Sequence, residues 1–523
     1  MVECLVSELV WNRGDPPIRR KMAAFGKSEE HNPRRNDGRK SDKTIVVMKQ
    51  ANKTAKVIVA EPVERRVLAK GNPLVEPETG TQRPVESEGW QRRIGRAARK
   101  DKRLRFTNLL HHIDESLLWE AYEHLNKKAM AGVDGEDWSS YGDQLIGNLK
   151  RLHEDVQKGR YRGKPVLRIW LEKPDGTKRP IGVTCVEDKI LQQALVWVLE
   201  SIYEQDFLGF SYGFRPKRKQ HDALDAVYVA ISQRKVSYVL DADIKGYFDN
   251  IDQRWLMRFI EHRIADSRIV KILEQILRAG TQEEGRWYES KTGIPQGAVI
   301  SPLLANIYLH YALDLWAHQW RQRKARGEVY IVRYADDVIG CFQYQSEGQD
   351  FRVALEERLW KFNLQLHSKK TKLLAFGRFA MTDSQKRGKR KPETFDFLGF
   401  THACAKRRKD GKFAIRRLTI AKRQRAKLKE IRQWLKRNRH KPIAEQGRRL
   451  NAVIRGAMNY YGVPGNYTLS AFRTEICKSW YFNLRRRSHK AKKLTWKKMA
   501  KIVKEYLPSI LVIHPYPNVR LCV

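Results

Sequence analysis

The chain has 523 residues, of which 41% are hydrophobic and 10% aromatic, enough for several domains and a large buried core. Lys and Arg outnumber Asp and Glu by 103 to 59, and the net charge of +44 calls for a polyanionic partner. No apolar run approaches the ~20 residues needed to cross a bilayer, so nucleic acid is expected ahead of a membrane. The six cysteines (Cys4, Cys185, Cys341, Cys404, Cys477, Cys522) include no C-x-x-C pair, which argues against a zinc ribbon and predicts a reduced, cytoplasmic protein.

Residues 1–92 are rich in Pro, Gly, Asn, Lys and Glu, as in "GKSEEHNPRRNDGRKSDK", and read as a basic, disordered extension. "GWQRRIGRAARKDKRLRF" (89–106) is a basic helix candidate that leads into a second unit, 93–150. There Leu109, Leu110, Ile113, Leu117, Leu118, Ala121, Tyr122 and Leu125 recur at helical spacing, and the run ends at "KKAMAGVDG". In the next unit, 151–400, "VLRIWLEKPDGTKRPIGV" alternates as a strand, turns at "PDG" and returns, a hairpin carrying Lys173, Lys178 and Arg179. Thr184 and Glu187 match a capping box opening a long helix. "SYVLDADIKGYFDNID" is a strand ending in charge and aromatics, and "TGIPQGAVISPLLANIYLHYALDLW" is a Gly/Pro loop feeding an apolar helix. "YIVRYADDVIG" reads as a tight hairpin, Tyr330–Tyr334 going in and Val338–Cys341 coming out, with two aspartates at its turn. A helix over 350–363, "LHSKKTKLLAFG" and "FDFLGFTH" follow.

Beyond residue 400 the composition changes. Residues 401–523 hold 33 Lys and Arg against 5 acids, so this stretch supplies 28 of the 44 net charges. Leu428, Ile431, Trp434 and Leu435 mark basic amphipathic helices, interleaved further on with Tyr460, Tyr461, Trp480, Tyr481, Phe482 and Trp496. A charge run alone is usually a solvated face; with aromatics at this density it predicts an all-α RNA-binding region over 401–510, then a tail, 511–523.

Two carboxylates ~4 Å apart repel by roughly 1 kcal/mol in water and by several times that near a protein surface. An isolated Asp-Asp is best read as an acidic turn, but here a second acidic strand, "LDADIKGYFDNID", is available to meet it. Nucleotidyl transfer needs carboxylates from separate strands that gather two divalent ions, and a sparse aspartate set suits Mg2+, with Mn2+ as a substitute. Asp241 and Asp243 lie on the same strand face, so spacing does not choose between them.

The ordered blocks "YGFRP", "DADIKGYFD", "GIPQGAVISPLLANIYL", "YADD", "KKTK" and "FLGF", after a basic hairpin, resemble the motif series of reverse transcriptases. They are most similar to the bacterial group II intron-encoded kind, the maturases, over about residues 100 to 510. The resemblance implies a right-hand polymerase, α/β fingers and palm followed by an all-α thumb/maturase domain. It implies RNA-directed DNA polymerase activity and assistance to intron splicing and mobility. Asp243, Asp336 and Asp337 then match the catalytic aspartates, with the Ile244 carbonyl as a further metal ligand. Phe248 falls where the family blocks a ribose 2′-hydroxyl, although a core aromatic is the competing reading. Gln296 would lie against the incoming nucleotide, and Lys173 and Arg179 would contact its triphosphate. Lys370 matches a further nucleotide-binding position, with Lys369 and Lys372 as competitors. Arg215 belongs to the template-handling block, which continues unusually as Lys217-Arg218-Lys219-Gln220. Asp249 and Asp252 are assigned to helix capping. "AGVDG" (131–135) matches the N-terminal segment of the group II and non-LTR enzymes. Tyr460, Tyr461, Arg485, Arg486 and Arg487 are the implied RNA contacts. The implied partners are intron RNA, an RNA template with a DNA primer, dNTPs and target DNA. No H-N-H-like nuclease cluster follows, so no endonuclease is expected. The rival readings are another bacterial reverse transcriptase (retron, diversity-generating or defence-associated) and a splicing-only maturase.

Overall fold

We describe the chain from a computed structural model, which defines residues 85–520 except 173–177, 387, 389–390 and 408. Most of the expected extension, and Lys173 in the basic hairpin turn, lie outside the described residues. The described residues begin at 85, before the expected boundary at 92. A helix spans Val85–Lys100 and buries Trp90, Ile94 and Ala98, spaced four apart on one face, against the long helix Val186–Asp206.

The helical run predicted over 107–125 is broken in two. A short turn at Leu110–His112 precedes the helix Glu115–His124, and Asp114 caps the latter by accepting from the Leu117 amide at 2.7 Å. The amides of Leu109 and Leu110 donate to Asp266 at 2.8 and 3.0 Å. The apolar period was read correctly all the same: Leu109 to Tyr122 at the predicted positions are all buried.

The basic hairpin forms as β1 (Val166–Glu172) and β2 (Lys178–Val183), antiparallel from Leu167 opposite Val183 to Glu172 opposite Lys178. The capping box at Thr184 does not form. Cys185 is the first residue of the cap, the Thr184 hydroxyl has no partner, and Glu187 turns to Arg151 at 3.5 Å. The helix start is held by packing instead. A Cβ on Gly132 would meet Cys185 at 2.7 Å, so only glycine lets the "AGVDG" loop lie this close.

Nine further strands follow among the described residues. They are β3 (Tyr238–Asp243), β4 (Thr281–Glu283), β5 (Arg286–Tyr288), β6 (Val329–Tyr334), β7 (Asp337–Phe342), β8 (Lys372–Ala375), β9 (Phe395–Phe397), β10 (Phe400–Lys406) and β11 (Phe413–Thr419). They build an outer sheet of order β2-β1-β4-β5, a central sheet of order β6-β7-β3-β8 and a small sheet of order β11-β10-β9. In the central sheet β3 is flanked by two antiparallel neighbours, and its inward residues Val239 and Leu240 meet Ile331, Val332 and Ile339 in one apolar core. Helices Gln220–Gln233 and Gln345–Trp360 pack on this sheet. The apolar helix after the Gly/Pro loop comes in three pieces: Ser301–Leu309, a π-helical turn at His310–Asp314, and Leu315–Arg323.

The small sheet corrects the expectation that residue 401 opens an all-α region. β10 and β11 carry strands to Thr419 because "FAIRRLT" alternates inward and outward, with Arg417 on the buried side. There Arg417 donates to Asp225 of Gln220–Gln233 at 2.6 Å, both side chains being almost fully enclosed. Beyond it, the helices Ala421–Arg437, Ile443–Tyr461, Thr468–Arg485 and Trp496–Tyr506 form a second core around Leu435, Leu450, Ile454 and Trp480. The last segment folds back on the central part, where the His514 ring stacks on His221 at 3.7 Å. No described helix is long and apolar enough to cross a membrane.

Removing one partner of a buried ion pair strands the other charge and costs about 3–5 kcal/mol. Asp225→Ala should therefore lower stability by that order in urea unfolding. The double variant Asp225→Leu/Arg417→Met should recover most of the loss, and equal losses in both would show that the pair's charge is not what matters.

Candidate active site

Strand register brings the acidic residues together. Antiparallel pairing of β3 with β7 sets Asp243 opposite Asp337, and Asp241, two residues back on the same face, opposite Ile339 on one side and Lys372 on the other. Ala335 and Asp336 form the two-residue hairpin connection between Tyr334 and Asp337, and Ala335 takes φ +56°. A left-handed alanine is strained, and its carbonyl is held by the Arg333 guanidinium at 2.9 Å. The Asp243 backbone carbonyl accepts from the His367 amide at 2.7 Å, and its carboxylate receives Lys370 Nζ at 2.5 Å.

One ammonium does not neutralise this cluster. Burial, followed by the charge of Asp243, raises Asp336 above the usual carboxylate range, while Arg179 and Lys370 act against the shift. Asp337 is pushed up to about 6 by loss of hydration, then by Asp336 and Asp243. Asp241 is pushed up to about 7 by burial, then by Asp337 and Asp243. Such carboxylates favour a cation. The donors are hard oxygens, and among the described residues no group of three His, Cys, Asp or Glu side chains is placed to hold a metal ion.

A cleft of about 460 Å3 opens between the outer sheet and the Gly/Pro loop, lined by Arg168, Gly182, Asp249, Ile294 and Gln296. The loop is clamped to β2: Gly182 donates its amide to the Gln296 carbonyl at 2.6 Å. Gly297, at φ +113°, lies where a Cβ would meet the Gly182 carbonyl at 2.6 Å. Gln296 donates its side-chain amide to Asp249 at 3.3 Å. Asp249 is thus the partner of Gln296 and no helix cap, whereas Asp252 does cap Gln253–Glu261, accepting from Arg254 at 2.8 Å. Phe248 is half-buried, its carbonyl taken by the Ile294 amide at 2.9 Å. Arg179 is exposed on β2, and Ile244 is buried at the end of β3.

Arg215 has a different task from the RNA contact expected of it. It is 7% exposed, pairs with Glu204 at 2.9 Å and donates to the carbonyls of Leu208 and Ser211 at 2.8 Å each. Tyr460 and Tyr461 are half-buried at the joint between the small sheet and the helices. Tyr460 donates to the Leu398 carbonyl at 2.8 Å, and Tyr461 meets the Phe400 ring edge-on at 5.2 Å. Arg485, Arg486 and Arg487 are exposed at the end of their helix. The pattern reading missed Arg333 and Asp314, both fully enclosed behind the Asp-Asp turn. Their one available signal was an arginine inside an otherwise apolar strand.

Carboxylates set opposite each other at the ends of two neighbouring antiparallel strands are an arrangement suited to nucleotidyl transfer of the polymerase class. Residues 171–402 match the family described as Reverse transcriptase (RNA-dependent DNA polymerase). Protein YkfC of Escherichia coli (strain K12) is 31% identical over 321 residues, 54% of this chain and 83% of that protein. The chain belongs to the reverse transcriptase family, and it is an RNA-directed DNA polymerase with the right-hand fold of that family. The group II intron-encoded protein LtrA of Lactococcus lactis subsp. cremoris is 34% identical over 223 residues, 42% of this chain and 36% of that protein. The mitochondrial nuclear intron maturase 4 of Arabidopsis thaliana is 27% identical over 158 residues, 29% of this chain and 19% of that protein.

A carboxyl group whose pKa is raised on folding contributes nothing below its ordinary value and destabilises the folded state as pH climbs to the raised one. For Asp241 that window runs from 3.8 to about 7. In chelator, Asp241→Asn should gain thermal stability relative to wild type from about pH 4 to about pH 7.5. A stability difference that does not change with pH would show that Asp241 titrates normally.

Proposed function

We propose that this reverse transcriptase is encoded by a group II intron, copies RNA into DNA with two Mg2+ ions, and also binds its intron RNA to assist splicing and mobility. The observation that carries the polymerase site is the β3–β7 register, which sets Asp243 opposite Asp337. The intron reading is supported by the printed names of the relatives, a group II intron-encoded protein and an intron maturase, over retron-like or defence-associated alternatives. The region from Ala421 onward supports the RNA role through its basic, exposed helix faces.

Asp243, Asp336 and Asp337, with the Ile244 carbonyl, would hold the metal ions. Bound there, Mg2+ would lower the pKa of the primer 3′-hydroxyl and steady charge on the triphosphate. The chain's own residues then bind and orient. Lys370 supplies the positive charge next to Asp243, and Arg179, with Lys173 in the hairpin turn, offers cations to the triphosphate. Gln296 and the clamped Gly/Pro loop form a rigid wall for the incoming base. Phe248 stands against a ribose 2′-hydroxyl and so favours dNTPs. The helices from Ala421 act as thumb and maturase domain, holding the primer–template duplex, intron RNA and target DNA.

Asp336→Ala should abolish Mg2+-dependent cDNA synthesis on a primed RNA template while leaving RNA affinity nearly unchanged; wild-type extension by this variant would remove the proposed site. Phe248→Ala should raise incorporation of rNTPs relative to dNTPs in steady-state assays, and an unchanged ratio would return the ring to core packing. Replacing Arg485, Arg486 and Arg487 together should lower intron splicing more than primer extension on a generic template. Equal losses in the two assays would make that stretch a general clamp.

A further inference from the structure

Behind the Asp-Asp turn lies a charged group for which the polymerase reading has no use. Arg333 on β6 is 0% exposed, as is Asp314 of the π-helical turn. The two form a bidentate pair, Nε to Oδ1 at 2.7 Å and Nη2 to Oδ2 at 2.6 Å. The remaining donors reach the Ser211 hydroxyl at 2.7 Å, the Asn306 side-chain oxygen at 3.1 Å and the Ala335 carbonyl at 2.9 Å. A guanidinium has five N–H groups in a fixed plane. All five are engaged here, so the plane has no freedom to rotate.

The last of these bonds matters for the chemistry. The Ala335 carbonyl belongs to the peptide unit that enters Asp336, and a peptide unit is planar. Fixing that oxygen fixes the direction in which Asp336 and Asp337 leave the turn. Ala335 has φ +56°, a strained value that relaxes unless its surroundings hold it. The other side of the turn is fixed too. A Cβ on Gly213 would collide with the Ala335 backbone, and Asn306 donates to the Gly213 carbonyl at 2.7 Å.

Asp314 reaches Arg333 because of the π-helical turn. One residue is about 100° of rotation about a helix axis, so an uninterrupted α-helix would point Asp314 elsewhere. The widened turn frees backbone carbonyls, and a second buried arginine takes them: Arg358 donates to Ala312 at 2.8 Å and to Tyr311 at 3.0 Å, with its plane over Phe362.

We infer that Arg358, the π-helical turn, Asp314 and Arg333 form a buried positioning relay that sets the placement of Asp336 and Asp337 for nucleotidyl transfer. Arg333 is a positioning residue and touches no substrate. The relay rests on the polymerase reading of the aspartates. Its energetic logic differs from that of a core contact. A buried ion pair replaced as a unit by apolar residues of similar volume often leaves stability unchanged, so what this pair supplies is orientation.

The test uses the full chain, an RNA template with a DNA primer, dNTPs and Mg2+. Thermal unfolding, duplex affinity, kcat, KM for dNTP and the Mg2+ concentration for half-maximal rate are measured for wild type, Asp314→Leu/Arg333→Met, Arg358→Met and Arg333→Lys. The double variant leaves the Ser211, Asn306 and Ala335 oxygens without their donor and should melt somewhat below wild type. At a temperature where it stays folded it should bind duplex equally, while kcat falls about 100-fold with little change in KM, the loss expected for an ångström-scale misplacement. Its half-maximal Mg2+ concentration should rise. Arg358→Met should show a smaller loss of the same kind, and Arg333→Lys should not restore kcat, since an ammonium cannot span five acceptors. If the double variant does not fold, Ser211→Ala carries the test, because it removes one acceptor and leaves the ion pair; at a temperature where it is fully folded, kcat should still fall, beyond what its lowered melting temperature accounts for. A kcat that tracks the folded fraction, or wild-type kcat in a folded double variant, overturns the relay. An Asp336→Ala control that extends primers like wild type overturns the polymerase site itself, so the two failures are told apart.

Discussion

Like charges held together at the end of a buried strand are the constraint on which the rest of this molecule depends. Unit charges ~4 Å apart near a protein surface repel by about 4 kcal/mol, and a chain free to relax would separate them. The central sheet prevents that by burying Val239, Leu240, Ile331, Val332 and Ile339 completely around the same register. Each such side chain contributes about 1.5–3 kcal/mol on burial, so slipping the strands to relieve the aspartates would lose more than it gains. The pKa values of Asp241, Asp336 and Asp337 are raised first by burial and then by that residual repulsion.

The same trade recurs at the joints. The chain carries a large surplus of positive charge, yet Arg215, Arg333 and Arg417 are enclosed and pair with Glu204, Asp314 and Asp225. The Arg333 and Arg417 pairs join a strand to a helix, and the Arg215 pair ties a loop to the helix before it. Apolar contacts tolerate sliding, whereas a planar guanidinium with defined acceptors accepts one arrangement. The central sheet and its satellites are thus fixed by directional contacts just where a small shift would move the carboxylates. The region beyond Ala421, with its own core, needs fewer of them and keeps its cations on the outside.

Much of this was legible in the sequence because the signals were local. The "YIVRYADDVIG" hairpin follows from strand-forming residues on both sides of a two-residue break, and β6 and β7 fall within a residue or two of the expected bounds. The basic hairpin at 166–183 and the apolar positions from Leu109 to Tyr122 follow from periodicity in the same way. Where local signals failed, a tertiary partner had taken over. Asp114 capped the start of a new helix in the middle of an apolar period that ran through it. Cys185, packed against Gly132, takes the cap position expected of Thr184. In β10 and β11 the density of Lys and Arg hid an alternation that was present in "FAIRRLT".

What the sequence could not disclose is which charges go inside. Arg215 stood in a motif that suggested an outward contact, and Arg333 stood in a strand where a polar residue is expected to face solvent. Exposure of an arginine is decided by whether acceptors converge on it, and here they come from residues 211, 306, 314 and 335, of which only the last is near in sequence. A π-helical turn leaves no trace in composition, yet it decides that Asp314 is one of them. The reacting groups of an enzyme must be particular residue types at particular spacings, so they surface as motifs. The groups that hold them in place need only meet in space, and many combinations would serve. That asymmetry explains why the aspartates could be named from the sequence while their support had to be read from the fold.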